Sequence, residues 1–175
     1  MKNGIKIFLL SIIFTSPVIN AGEPVQWYFG LSGGGDTNPN AGFSWGAVKN
    51  NWMWNISVIG DNDYATDELL DYPVPHNDYT VTNNDATVGN TMGFDGTKII
   101  KLSETVSFLL GGGLYFRGGC EVAESNVTGW EYCQSNKDET IPSINTGLFL
   151  IAPDSQVGIR AHSYRGVELF VSWFN

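Results

Sequence analysis

Near its C-terminus the chain reads Arg160-Ala161-His162-Ser163-Tyr164, with Glu168 four residues further on. An imidazole, a hydroxyl and a carboxylate in one short stretch are the parts of a base-activated nucleophile. Such a nucleophile works only if the hydroxyl reaches its base by a hydrogen bond. The spacing opposes this, because neighbouring residues of an extended strand point to opposite faces. His162 and Ser163 then diverge, while Arg160, His162 and Tyr164 share one face. A three-residue turn containing Gly166, with Tyr164 opposite Glu168, places the carboxylate on that same face. The chemistry these residues support is ion pairing: a buried polar network of Arg160, His162, Tyr164 and Glu168, with Arg117 joining from an earlier strand.

Other reactive groups offer less. The two cysteines, Cys120 and Cys133, form an even pair in an exported chain and are expected to close one disulfide loop. No His or third Cys lies near them, so a metal site is not expected there or elsewhere, and no cofactor is implied. Asp61-Asn62-Asp63 lacks the glycine and terminal glutamate of a calcium loop. Asn55-Ile56-Ser57 and Asn126-Val127-Thr128 fit a glycosylation acceptor, and Gly111-Gly112-Gly113 precedes no helix, which excludes a phosphate loop.

Lys2 and Lys6 precede an apolar run, Ile7 to Ile13, that weakens to Ile19 and ends at Asn20-Ala21-Gly22. These are the charged, apolar and small-residue zones of a secretory signal. Residues 1–21 are read as a signal peptide cleaved after Ala21, and 22–175 as one domain. Formal net charge is −9, and removal of two lysines makes the remainder more acidic still. Nucleic acid is excluded as a partner, since phosphate binding needs clustered Lys and Arg. Between Lys49 and Lys98 lie Asp61, Asp63, Asp67, Glu68, Asp71, Asp78 and Asp85 with no Lys or Arg. A second acidic group, Glu121, Glu124, Glu131, Asp138 and Glu139, is relieved by Lys137 alone. Both read as long solvated loops.

Around these loops the sequence alternates with a period of two. Eight strands are expected: Val25 to Gly34, Ala41 to Lys49, Trp52 to Gly60, one within Ala86 to Ile100, Thr105 to Arg117, Thr140 to Ile151, Gln156 to Tyr164, and the closing stretch VELFVSWFN. In the fourth, either Asp95 or Lys98 falls on the apolar face, which calls for a bulge or an end effect. Tight turns follow the second, fourth and sixth strands, while the long links lie at the other end. Short turns at one end and long loops at the other are the layout of an outer-membrane barrel.

Two arguments give the barrel its orientation. Soluble barrels fill their interior with apolar residues, but here one face carries Arg117, Arg160, His162, Glu168, Asn55 and Asn145. A lipid-facing Lys or Arg at the bilayer midplane costs about 2–4 kcal/mol, so the charges point inward and the apolar face meets lipid. Trp27, Trp45, Trp52 and Trp173 all fall near the short-turn end, as an interfacial aromatic girdle requires.

The exported start, the eight alternating segments and the ending VGIRAHSYRGVELFVSWFN resemble the small eight-stranded outer-membrane β-barrels of Gram-negative bacteria, the group of outer membrane protein X and the barrel of outer membrane protein A. The resemblance implies an all-β, antiparallel up-and-down transmembrane barrel in the bacterial outer membrane. It implies outer-membrane lipid and lipopolysaccharide as surroundings, contact with the barrel assembly machinery, and a monomer. That family usually ends in Phe, whereas Phe174 here is followed by Asn175. The function expected is structural or recognitional, with acidic loops presented to host or surface molecules and a polar network plugging the interior. Two alternatives stand beside it. One is a membrane-embedded acyl hydrolase resembling the lipid A deacylase, whose His and Ser lie two apart, so that Tyr164 here occupies the place of that Ser. The other is a secreted lipocalin-like carrier.

Overall fold

The computed structural model describes residues 25–35, 41–60, 63–64, 79–151 and 155–174. The expected signal peptide, residues 1–21, lies outside them. Eleven strands follow in chain order: β1 (Gln26–Gly33), β2 (Ala41–Lys49), β3 (Trp52–Gly60), β4 (Tyr79–Thr87), β5 (Thr91–Lys101), β6 (Val106–Arg117), β7 (Gly119–Ser125), β8 (Glu131–Asn136), β9 (Glu139–Ile151), β10 (Ser155–His162) and β11 (Gly166–Phe174). Eight of them close a barrel in the order β1-β11-β10-β9-β6-β5-β3-β2, every pair antiparallel. First and last strands form the seam, from Gln26 opposite Phe174 to Gly33 opposite Val167.

Two-residue periodicity drives this arrangement, because each strand buries one row and exposes the other. β3 alternates without a break: Met53, Asn55, Ser57 and Ile59 face in, while Trp52, Trp54, Ile56 and Val58 face out. In β11, Glu168 is 0% exposed, whereas Leu169 is 61% and Trp173 42% exposed. An apolar exterior around an ionic interior inverts a soluble barrel and overturns the lipocalin-like reading.

The turns at one end are tight. β2 and β3 meet with Lys49 opposite Trp52, and Asn50 and Asn51 between them have φ of 51° and 61°, the left-handed pair that a two-residue hairpin demands. β5 settles the ambiguity of the fourth expected strand. Asp95 faces in with Thr91, Gly93 and Thr97, and Lys98 faces out without a bulge. Lys98 sits near the short-turn end with its ammonium 4.9 Å from the ring centre of Trp52, so it is an end effect.

At the opposite end the acidic segments are more than solvated loops. β4, from the β3–β5 link, pairs with β7, and β7 pairs with β8, both from the β6–β9 link. The resulting three-stranded sheet has its own small core of Ala86, Cys120 and Val122, packed by Tyr64, Val88 and Cys133. Cys120 and Cys133 are disulfide-bonded across the β7–β8 hairpin. Asp61, Asp67, Glu68, Asp71 and Asp78 lie outside the described residues.

Candidate functional site

Inward side chains stack in three layers along the barrel. Nearest the short turns, Tyr28, Val48, Met53, Ile99, Leu109, Phe149 and Phe170 form an apolar layer. On its short-turn side an open cavity of about 620 Å³ forms the mouth of the barrel, lined by Gln26, Asn51, Ser103, Glu104, Ser107 and Gln156 among others. Nearest the long loops, Ile59, Tyr115 and Tyr164 pack with Ile141, the two tyrosine rings 5.0 Å apart. The charges lie between these layers.

Arg160, in β10, stands directly opposite Glu168 in β11. Its Nε donates to Glu168 Oε2 at 2.6 Å, and its two other nitrogens donate to Thr97 Oγ1 and Tyr28 OH, each at 3.0 Å. Glu168 Oε1 also accepts from Ser44 Oγ and, at 3.1 Å, from Arg165 Nη1. Arg165 Nη2 donates to Asp95 Oδ2 at 3.1 Å and to His162 Nε2 at 2.7 Å. Asp95 Oδ2 further accepts from Tyr115 OH at 2.7 Å and Asn55 Nδ2 at 3.0 Å, while Thr97 Oγ1 donates to Asn145 Oδ1 at 2.9 Å. Every barrel strand supplies a member: Tyr28, Ser44, Asn55, Asp95, Tyr115, Asn145, Arg160 and Glu168 in turn round the wall. Two guanidiniums meet two carboxylates, the pairing a buried charge requires.

Room for this cluster comes from glycine. A Cβ on Gly30 would collide with the Glu168 carboxylate and the Ser44 hydroxyl, and one on Gly93 would collide with the Tyr115 ring. Both positions therefore exclude any side chain while the network is assembled.

Of the five residues expected in the interior network, Arg160, His162 and Glu168 converge at the centre. Tyr164 faces the barrel from the turn, with Thr91 Oγ1 3.4 Å from its hydroxyl. Arg117 stands at the outer rim, paired with Asp85 at 2.7 Å and Glu139 at 3.1 Å. The expected pairing of Tyr164 with Glu168 is corrected. His162 pairs with Gly166 and Arg160 with Glu168, so the turn is 163–165 rather than 165–167. A shift by an even number of residues keeps the same face inward, which is why the assignment of faces survives the slip. Ser163 is exposed, its hydroxyl accepting from the Ile144 amide at 3.1 Å, and does not meet His162. Sequence reasoning missed Arg165 and left Asp95 undecided.

The four tryptophans Trp27, Trp45, Trp52 and Trp173 are all exposed on the outer wall toward the short-turn end. Trp27 stands opposite Trp173 and stacks on Trp45 with ring centres 5.6 Å apart. Lys49 and Lys98 flank Trp52 in register.

No family model matches the chain, and no curated protein does. Among solved structures, small barrels match over most of the chain at low identity. Neisserial surface protein A is 14% identical, covering 85% of this chain and 92% of its own, with a TM-score of 0.42. Ail, the attachment invasion locus protein of Yersinia pestis, solved with the heparin analogue sucrose octasulfate, is 12% identical, covering 86% and 95%, with a TM-score of 0.37. The molecule's own geometry decides its class, since a closed ring of eight antiparallel strands that is apolar outside and ionic inside satisfies every backbone group in hydrocarbon. The chain is a closed all-β barrel of eight antiparallel strands, apolar outside and ionic inside, the build of an outer-membrane β-barrel.

Proposed function

We propose that this protein, exported by a signal peptide of residues 1–21 and inserted as a monomer by the barrel assembly machinery, is a surface-recognition protein whose barrel serves as a closed pedestal. The observation that carries the reading is the sheet β4-β7-β8. Two separate loops spend their length on mutual pairing and a disulfide beyond the barrel, which the barrel itself does not need. Such a sheet is a shaped, preorganised surface, and preorganisation lowers the entropic cost of binding.

Its chemistry narrows the partner. Exposed or half-exposed Asp85, Glu121, Glu124, Glu131 and Glu139 outnumber the two cations beside them, Arg117, paired with Asp85 and Glu139, and Lys137, paired with Glu121 at 3.2 Å. Val127 and Trp130 are exposed at the hairpin tip. A basic surface with an apolar patch fits this face, and a polyanion does not. The Trp27, Trp45, Trp52 and Trp173 band serves as the interfacial girdle, with lipopolysaccharide and phospholipid around the wall. The layered interior leaves no continuous path of porin width, as expected for eight strands. With Ser163 turned away from His162, nothing favours the acyl-hydrolase reading.

The test is replacement of residues 119–137 by a short Gly-Ser turn in cells displaying the protein. Adhesion to cationic, apolar-patterned surfaces should fall to the level of cells lacking the protein, while the barrel still migrates as a folded species. Unchanged, salt-insensitive adhesion would sink the reading.

A further inference from the structure

Arg165 belongs to the turn between β10 and β11, at the outer end of the barrel, yet it is 1% exposed. Its guanidinium reaches inward to Asp95 and Glu168 and rests against His162 Nε2. A guanidinium only donates, so Nε2 accepts and the imidazole is neutral, with its proton on Nδ1. That Nδ1 has no hydrogen-bond partner and lies 3.8 Å from Asp95 Oδ1, which is also unpartnered. Nε2 lies 3.4 Å from Glu168 Oε2. His162 and Arg165 thus face the same two carboxylates.

With His162 neutral, Arg160 and Arg165 balance Asp95 and Glu168. A proton added at Nε2 removes the acceptor that Arg165 uses and sets a like charge beside it. The imidazolium gains a second N–H, at Nε2 toward Glu168, beside the one at Nδ1 toward Asp95, and the interior holds one cation too many, which burial penalises. Arg160 is fixed in mid-strand by Glu168, Thr97 and Tyr28. Arg165 hangs from a three-residue turn next to solvent, and its departure restores neutrality.

We propose that the β10–β11 turn is an acid-released latch, in which protonated His162 replaces Arg165 between Asp95 and Glu168 and expels the Arg165 side chain to the outer surface. The groups facing His162 are Asp95 from β5, Glu168 from β11, Arg165 and Tyr164 from the turn, Arg160 from its own strand, and Tyr115, whose hydroxyl is held by Asp95. The two tyrosines stay protonated in mild acid and add no competing charge. Because Tyr164 closes the outer layer against Tyr115, release of the turn changes the surface shown beside the β4-β7-β8 sheet. The latch rests on barrel geometry alone and not on the recognition reading.

Amide hydrogen exchange of residues 163–166, measured on the folded barrel in lipid nanodiscs at about pH 7.5 and about pH 4.5, on either side of an ordinary histidine, reads the latch. After correction for intrinsic exchange, opening of the turn should rise at least about tenfold in acid. His162→Gln keeps an acceptor for Arg165 and cannot be protonated, so its turn should stay closed at both values. Arg165→Met should leave the turn open at both. Equal opening of the natural protein at the two values, or an acid response retained in His162→Gln, overturns the proposal. Should His162→Gln not fold, the midpoint of turn opening is compared with the His162 titration seen by imidazole NMR in a His76→Gln background; midpoints that do not coincide overturn it equally.

Discussion

Glu168 is the carboxylate that both buried guanidiniums share, since Arg160 and Arg165 donate to it together with Ser44. Its replacement by Gln keeps the shape and leaves two buried guanidiniums with one carboxylate between them. The expected cost is about 3–5 kcal/mol of barrel stability, read as a shift in the urea midpoint of unfolding in detergent. Arg117→Met should cost far less, because its partners Asp85 and Glu139 stand at the solvated rim. Parity alone places Arg160 and Glu168 inside, since charges on one side of an alternating strand must avoid hydrocarbon. Arg165 escapes that logic because a turn residue is solvated by default, and the turn that holds it lies two residues earlier than the one the sequence favours. Asp95 is ambiguous for a different reason: Lys98, odd against even, competes with it for the polar face of β5. The β3–β5 register decides it, setting Lys98 beside the outward Trp52.

At the level of strands and hairpins, the outer wall and the outer sheet make separate predictions. Leu169 is exposed on the lipid face between Ile159 and Leu31, with its register partners on both sides apolar. Leu169→Arg should lose about 2–4 kcal/mol in lipid, with the same measurement on Val127→Arg, at the solvated hairpin tip, showing almost no loss. Removing the disulfide by Cys120→Ser with Cys133→Ser should free the β7–β8 hairpin, at about 3 kcal/mol of local stability in the chain-entropy model. Limited proteolysis would detect this as cleavage between 120 and 133 with the barrel intact; loss of the barrel itself would show that the sheet is part of its core. The barrel strands are legible because alternation over eight to thirteen residues is a strong pattern. β4, β7 and β8 are hidden because theirs is not. β8 carries Glu131, Gln134 and Ser135 over six residues, and the β4–β7 ladder breaks register twice, so no clean apolar row survives. The core that joins them draws Ala86 from one loop and Cys120 and Val122 from the other, so neither loop shows it alone.

For the whole molecule, a closed barrel with an apolar girth should fractionate with the outer membrane and migrate differently before and after boiling. Recovery in periplasmic fluid without detergent would contradict the inside-out arrangement. In planar bilayers it should show no sustained opening of porin size, because apolar, ionic and aromatic layers succeed one another along its axis. The overall architecture is legible in the sequence because lipid imposes one rule on all strands at once, whereas the interior contacts depend on which strands meet, and that is fixed only when the ring closes. The seam has a further consequence. β1 is the first barrel strand in chain order and β11 the last, yet each is the other's neighbour along eight residue pairs. Until the final segment arrives, two ladders of amides and carbonyls stay open. The protein must therefore travel as an unclosed chain and commit to the membrane in one late event, so removing only residues 166–174 should leave an aggregating precursor rather than a smaller barrel.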